Sequence, residues 1–289
     1  MTPDPAAPRL RAHVETLAGN IGERNLWKYG ALERAAQYIS TELTTSGYTP
    51  RRQTFEVAKL PLSNVDAVLE GTTQGAEIVL VGAHYDTVAG CPGANDNATG
   101  VAAVLELAQR FSGRPQPRTI RFVAFVNEEP PFFQTAHMGS AVYANAARAR
   151  GDRVVGMMSL ETMGYYSEEK GSQRYPAAIG ALYPDVGNFI GFVSNLASAR
   201  LLLRARGAFR RRTSFPLQSA AVPAAIPGVG WSDHWAFWQA GYPAMMVTDT
   251  APFRYPWYHT AEDTPEKLDY DRLAHVVGGL EAVIASIAG

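Results

Sequence analysis

His84, Asp86 and Asp96 cluster where an apolar run, residues 76–83, gives way to a glycine-rich loop. Either they are the polar residues of an ordinary solvated loop, or they converge on a cation. His84 and Asp86 are two residues apart, so in extended chain they point to the same side. Asp96 returns after the loop, just before a helical pattern that starts near Ala98. Glu128 and Glu129 are adjacent at the end of another apolar run, so their carboxylates diverge, and one can hold a metal while the other faces a neighbouring water. Glu161 interrupts a third run, and His259 offers a second imidazole late in the chain. If these groups meet, Asp86, Asp96, Glu128, Glu129 and Glu161 gather about five negative charges, each costing several kcal/mol to desolvate unpaired. Two divalent ions would nearly neutralise them. Mixed imidazole and carboxylate ligands suit zinc, with cobalt or manganese as substitutes. Two such ions ~3.5–4 Å apart, bridged by one carboxylate, activate water and polarise a carbonyl oxygen.

The elements that must position these residues alternate in type. Residues 32–43 carry Leu32, Ala36, Ile39 and Leu43 on one stripe, an amphipathic helix. Residues 63–71 and 76–86 read as strands, the second nearly all apolar before His84, as a central strand covered on both faces requires. Residues 98–111 form a helix, 118–129 a strand ending in acid, 134–150 a helix, and 154–166 a strand carrying Glu161. A strand followed by a helix spans 188–209, another strand 242–251, and a closing helix 269–289. This order predicts an α/β fold of one domain, with a mixed, mostly parallel central sheet and helices on both faces. Residues 1–60 are expected as a helical lead-in and 61–289 as the metal-binding catalytic core. Ligands in such sheets bind beyond the carboxyl ends of the strands, where His84, Asp86, Glu128, Glu129 and Glu161 all fall.

Bulk composition narrows the class. The chain has 289 residues, 46% of them hydrophobic and 18% charged, an ordinary globular balance. A net charge of −1 gives no global field to recruit nucleic acid or an anionic membrane. The single cysteine, Cys91, rules out an internal disulfide framework and is expected to be buried. No apolar run approaches a membrane span, and the N-terminus lacks a signal-peptide pattern, so the expected location is the cytoplasm unless an export signal has been removed. Oligomeric state is not legible.

The motifs GAHYDT, GANDNATGVAAVLELA, FVNEE, SLETMGY, SDHWAFWQAGYPAMMVTD and YHTAEDTPEKLDY, in that order from about residue 60, resemble the M28 family of co-catalytic zinc peptidases, mostly aminopeptidases. The resemblance implies the zinc-dependent exopeptidase fold and two zinc ions. It implies that Asp96 bridges both, that His84 and Glu161 complete one site, and that Glu129 and His259 complete the other. It implies Glu128 as general base, Asp86 as the residue that orients His84 through its other ring nitrogen, and Tyr258 as a hydroxyl donor to the tetrahedral oxyanion. Asp233 is expected to support the site by hydrogen bonding. The activity implied is hydrolysis of the N-terminal residue of a peptide with a free amino terminus, through a hydroxide bridging the ions. One departure stands out: the family more often has aspartate where this chain has Glu161.

Other residues have plainer readings. His13, His137 and His275 are expected at the surface or in packing, and His234 in a supporting role. The arginine-rich run 200–212 reads as a solvated helix face and loop. Pro130, Pro131, Phe132 and Phe133 are expected to form a stiff aromatic wall, with Trp231, Tyr255 and Trp257 adding to an apolar side-chain pocket. The rivals are a glutaminyl cyclase, which has a related fold and a single zinc, a carboxypeptidase-like exopeptidase, an M20-type hydrolase with an inserted dimerisation domain, and a binding domain that has lost activity.

Overall fold

The strand that ends in His84 owes its central place to its composition. In Gln74–His84 (β3), Ile78 through Val81 are all buried. Ile78 and Leu80 enter one apolar cluster while Val79 and Val81 enter another, the period-two alternation of a strand with a core on each face. The computed structural model describes residues 5–176 and 180–289. Its eight strands form one sheet. In chain order they are Arg51–Val57 (β1), Leu60–Leu69 (β2), β3, Arg118–Phe125 (β4), Arg153–Glu161 (β5), Ile190–Ser194 (β6), Leu217–Ala221 (β7) and Ala244–Thr248 (β8). Their spatial order is β1-β2-β4-β3-β5-β8-β6-β7. The pairs β3–β4, β3–β5, β5–β8 and β6–β7 are parallel, and β1–β2, β2–β4 and β6–β8 antiparallel.

The helices divide unequally between the two faces. Ala6–Val14 (α1), Tyr29–Thr45 (α2), Thr99–Phe111 (α3), Ala199–Arg212 (α5) and Tyr270–Ala288 (α7) contribute to the larger core. Gly139–Arg150 (α4) and the short His234–Gln239 (α6) cover the other. The mixed, mostly parallel sheet flanked by helices is the expected architecture.

Several boundaries differ from expectation, among them the ends of the strands expected over 154–166 and 242–251, which stop at Glu161 and Thr248. The lead-in is not helical to residue 60: β1 is an edge strand whose two-residue turn to β2, Ala58 and Lys59, has positive φ at both positions, the geometry that matches strand twist. Its polar alternation, RRQTFEV, hides it from an apolar-periodicity reading. The strand expected over 118–129 stops at Phe125, because Val126 N–H bonds the Asn64 side chain and Asn127 turns the chain with φ 59°. The helix expected from residue 134 starts at Gly139, after a run of turns from Pro130. Both β7 and α6 are additional elements.

The lead-in is fixed to the sheet by charge as well as by packing. Glu106, fully buried in α3, accepts from Arg9 Nε and Nη2 at 2.8 and 2.7 Å and from Arg110 Nε at 2.8 Å. No helix among the described residues is long and apolar enough to cross a membrane.

Candidate metal centre

His84 is the last residue of β3 and Glu161 the last of β5. Gly82 pairs with Ser159, so two residues further on the parallel strands set these side chains next to each other. His84 Nε2 lies 3.4 Å from Glu161 Oε2 and 3.2 Å from Asp96 Oδ1. Asp96 sits in the segment Ala94–Ala98, whose backbone is non-helical at Asp96 and Asn97, just before α3. Its other oxygen, Oδ2, is 3.0 Å from His259 Nε2, and that nitrogen is 3.3 Å from Glu129 Oε1. Besides the group His84–Glu128–Glu129, two triads with ligand atoms within 4.8 Å of one another result, His84–Asp96–Glu161 and Asp96–Glu129–His259. They share Asp96, which turns one oxygen to each. Glu128 Oε2 stands 3.9 Å from His84 Nε2.

The donor set fits divalent cations. His84, Asp96, Glu128 and Glu129 are almost wholly buried, and His84 Nε2, Asp96 Oδ1 and Glu129 Oε1 have no hydrogen-bond partner. Buried polar atoms without partners are rare in native proteins and call for an explanation such as an ion. These three atoms all point into the triads. Imidazole nitrogens and carboxylate oxygens, three to each position with one shared, suit zinc, and manganese or cobalt by the same chemistry.

Protonation follows the same charge excess. Burial, with Glu129 and Glu161 nearby, holds the Glu128 carboxyl well above the usual range against the pull of His84. Burial beside Asp96 pushes Glu129 up to about 8. Burial raises Glu161 as well. Burial would lower both histidines, but the carboxylates win: His84 rises well above its ordinary value and His259 to about 10. Asp96 is buried too, yet the His259 hydrogen bond and the His84 imidazole beside it hold it well below the carboxylate range. Protons are thus held where cations would otherwise sit. Asn127, which precedes Glu128, Thr162, which follows Glu161, and His259 itself have positive φ, an uncommon conformation for side chains of this size.

The supporting residues differ from expectation. Asp86 reaches the His84 ring chiefly through its main chain: its carbonyl is 3.2 Å from Nδ1, against 3.6 Å for Oδ1. Its carboxylate instead accepts from the backbone N–H groups of Glu128 and Glu129, at 3.1 Å each, and so fixes the acidic pair. Asp233 is buried but neither of its carboxylate oxygens has a hydrogen-bond partner, and burial raises its carboxyl to about 7. Ser232, next to it, takes the expected role, donating to Glu161 Oε2 at 2.6 Å. Asp263, unremarked in the sequence, accepts from the N–H groups of Asn95 and Asp96 at 2.8 and 3.1 Å and from Tyr255 Oη at 2.8 Å. It lies four residues after His259, and its part is played against backbone, which residue spacing does not disclose.

A cleft with a volume of about 110 Å3 opens beside Glu161 and Tyr258. Its floor is the sheet face bearing Gly191, Val193, Ala220 and Met246, and Trp231 and Phe253 flank it, stacked at 15°. Tyr255 and Trp257 do not line it. Tyr255 is buried against Asp263, and Trp257 packs edge-on to Tyr165 with Lys267 over its ring. Phe132 and Phe133 pack against the two cores and form no wall there. His234 is buried, with Nε2 2.8 Å from the Val229 carbonyl. His13 pairs with the Tyr38 hydroxyl at 2.6 Å, and Cys91 is buried. The α5 arginines 200, 204, 210, 211 and 212 are exposed, as a solvated face requires.

The sequence model of peptidase family M28 matches residues 64–284. The chain belongs to peptidase family M28. Among its M28 relatives, the uncharacterized protein YfbL of Escherichia coli (strain K12) is 36% identical over 289 aligned residues, covering 96% of this chain and 88% of YfbL. Aminopeptidase YwaD of Bacillus subtilis (strain 168) is 29% identical over 206, covering 68% of this chain and 38% of its own. The fold also matches solved structures: a zinc aminopeptidase from Bacillus subtilis, with TM-score 0.78, 17% identity and coverage of 96% and 94%, and a glutaminyl cyclase from Fimbriiglobus ruber, with 0.73, 21%, 99% and 98%. At those identities the likeness is one of fold, and it spans both hydrolysis and cyclisation.

Proposed function

We propose that this M28 metallopeptidase is an aminopeptidase that works with two zinc ions and removes apolar residues from the N-terminus of peptides. The observation that carries the reading is Asp96, whose two oxygens face separate imidazoles at 3.2 and 3.0 Å. His84 and Glu161 would hold one ion with it, and Glu129 and His259 the other. Ions bound there supply water activation and carbonyl polarisation.

The remaining steps belong to side chains. Glu128, whose Oε2 stands 3.9 Å from His84 Nε2, takes a proton on that oxygen from the attacking water and returns it to the departing amine. Asp86 holds the backbone of Glu128 and Glu129 so that the base and the ligand keep diverging directions. Tyr258, its ring stacked on His259 with centroids 3.8 Å apart, donates its hydroxyl to the oxygen that gains charge. Six buried carboxylates, counting Asp233, exceed the charge of two divalent ions, which favours a substrate bringing a free α-ammonium. The cleft beside Glu161 receives the first side chain.

The test compares aminoacyl-nitroanilides with free and acetylated amines and a peptide with N-terminal glutamine. Release from free-amine leucine or phenylalanine substrates, and loss of release on acetylation, is the expected result. Cyclisation of the glutamine peptide without hydrolysis, or equal cleavage of blocked substrates, contradicts the proposal.

A further inference from the structure

Eleven residues separate His84 from Asp96, and the loop between them does little to hold its own shape. Within residues 85–93 one backbone hydrogen bond, Cys91 N–H to the Val88 carbonyl at 3.3 Å, closes on the loop itself. Three of its carbonyls are taken by one side chain from far earlier in the chain. Arg24, fully buried, donates from Nε to Tyr85 O at 2.8 Å, from Nη1 to Pro92 O at 2.7 Å and from Nη2 to Gly93 O at 3.0 Å. The same Nη1 also reaches Leu17 O and Gly22 O, both at 2.8 Å, which ties the fork to the lead-in. The main chain completes the attachment: Thr87 N–H donates to Arg24 O at 2.8 Å, and Arg24 N–H to Thr87 Oγ1 at 3.1 Å.

Both ends of the loop are therefore gripped by one rigid planar cation. Tyr85 follows His84 directly, and Gly93 precedes Asp96 by three residues. A side chain at position 93 would meet Thr87 at 2.3 Å and the Asp96 carbonyl at 2.4 Å, so the guanidinium packs against backbone with no room between. Burial lowers Arg24 to about 10, opposed by Asp263, Asp86 and Asp96, so it stays charged at neutral pH. A lysine brings the charge but not five donors in a fixed fork.

We infer that Arg24 is a positioning residue for the metal pair, setting the separation of His84 and the bridging Asp96 by clamping the loop that joins them. The inference rests on the two-metal reading above. Removing such support from ligands lowers metal affinity by about 10–100-fold.

The test is zinc affinity, measured by competition with a chromogenic chelator, together with the melting temperature of the chelated protein. Arg254 supplies the control, since it is also buried and bonds the Phe189 carbonyl and Gln173, away from both triads. Arg24→Lys and Arg24→Gln are expected to weaken zinc binding at least tenfold. Arg254→Lys is expected to lower the melting temperature while changing zinc affinity less than twofold. Thr87→Ala cuts the same attachment without disturbing the buried charge, and should weaken zinc by a smaller factor even where Arg24 variants do not fold. Wild-type zinc affinity in the Arg24 variants or in Thr87→Ala, or equal weakening in Arg254→Lys, overturns the inference while two zinc ions still bind the wild type. A wild type that takes up no zinc overturns the two-metal reading and this inference together.

Discussion

Glu106 and Glu129 are both glutamates buried in the same molecule, and their surroundings are opposite. Glu106 receives three charged hydrogen bonds from Arg9 and Arg110. Glu129 Oε1 has no arginine or lysine partner, and its neighbours are Asp96, Glu128 and the His259 imidazole, 3.3 Å away. Burial alone therefore does not mark a functional carboxylate. The mark is burial without a permanently charged partner such as arginine, because unpaired desolvated ions cost several kcal/mol each and persist only where something else offsets them. At the rim of the sheet the offset is supplied by protons or by metal; on α3 it is built in.

The largest effect expected from breaking this contrast is on turnover. Glu128→Gln should lower kcat by about 10²–10⁴-fold while leaving zinc content unchanged, since it removes a proton carrier and not one of the shared-aspartate triads. Steady-state kinetics beside metal analysis checks this. Glu106→Gln should behave in reverse, with activity per folded molecule and zinc content retained. Its expected cost is about 2–3 kcal/mol in urea unfolding, less than for a fully buried pair because Arg9 is 43% exposed.

Acidity sharpens the same comparison. In chelated protein, Glu129 titrates near 8 when folded, against an ordinary value near 4.5 when unfolded. A raised folded value means the folded state keeps a proton the unfolded state has lost, an advantage complete below pH 4.5 and gone above 8. Asp233, near 7, and the raised histidines His84 and His259 act in the same sense. Chelated protein should therefore lose stability between pH 6.5 and 8, on the order of 2 kcal/mol, and zinc should remove the dependence. Denaturant titration at several pH values, with and without zinc, measures both. A smaller effect is expected at the cleft, where Gly191→Val puts a branched side chain on the floor. It should reduce kcat/KM for phenylalanine and leucine substrates relative to alanine by about tenfold, within the 1–3 kcal/mol that pocket shape can discriminate.

What the sequence disclosed follows from the same physics. A polar residue at the end of an apolar strand is conspicuous, so His84, Glu128, Glu129 and Glu161 stood out, and the parallel sheet made their ends neighbours. Asp96 and His259 lie in loops and owed their pairing to the family motifs. Residues that act on backbone were silent: Arg24 and Asp263 hold carbonyls and amides, which no side-chain spacing encodes. For the same reason a second task of Asp86 was missed: besides facing the His84 imidazole, its carboxylate accepts from the main-chain N–H groups of Glu128 and Glu129. Edge elements were lost where side chains are polar or small, as in β1 and the LQSAA of β7.

The account turns on Asp96 serving two cations at once, and the number of zinc ions bound per chain tests this most directly. Wild-type protein loaded with excess zinc and freed of weakly bound metal should hold two, and Asp96→Asn should fall below one. A single ion in the wild type, unchanged when Glu129 or His259 is replaced, would contradict it.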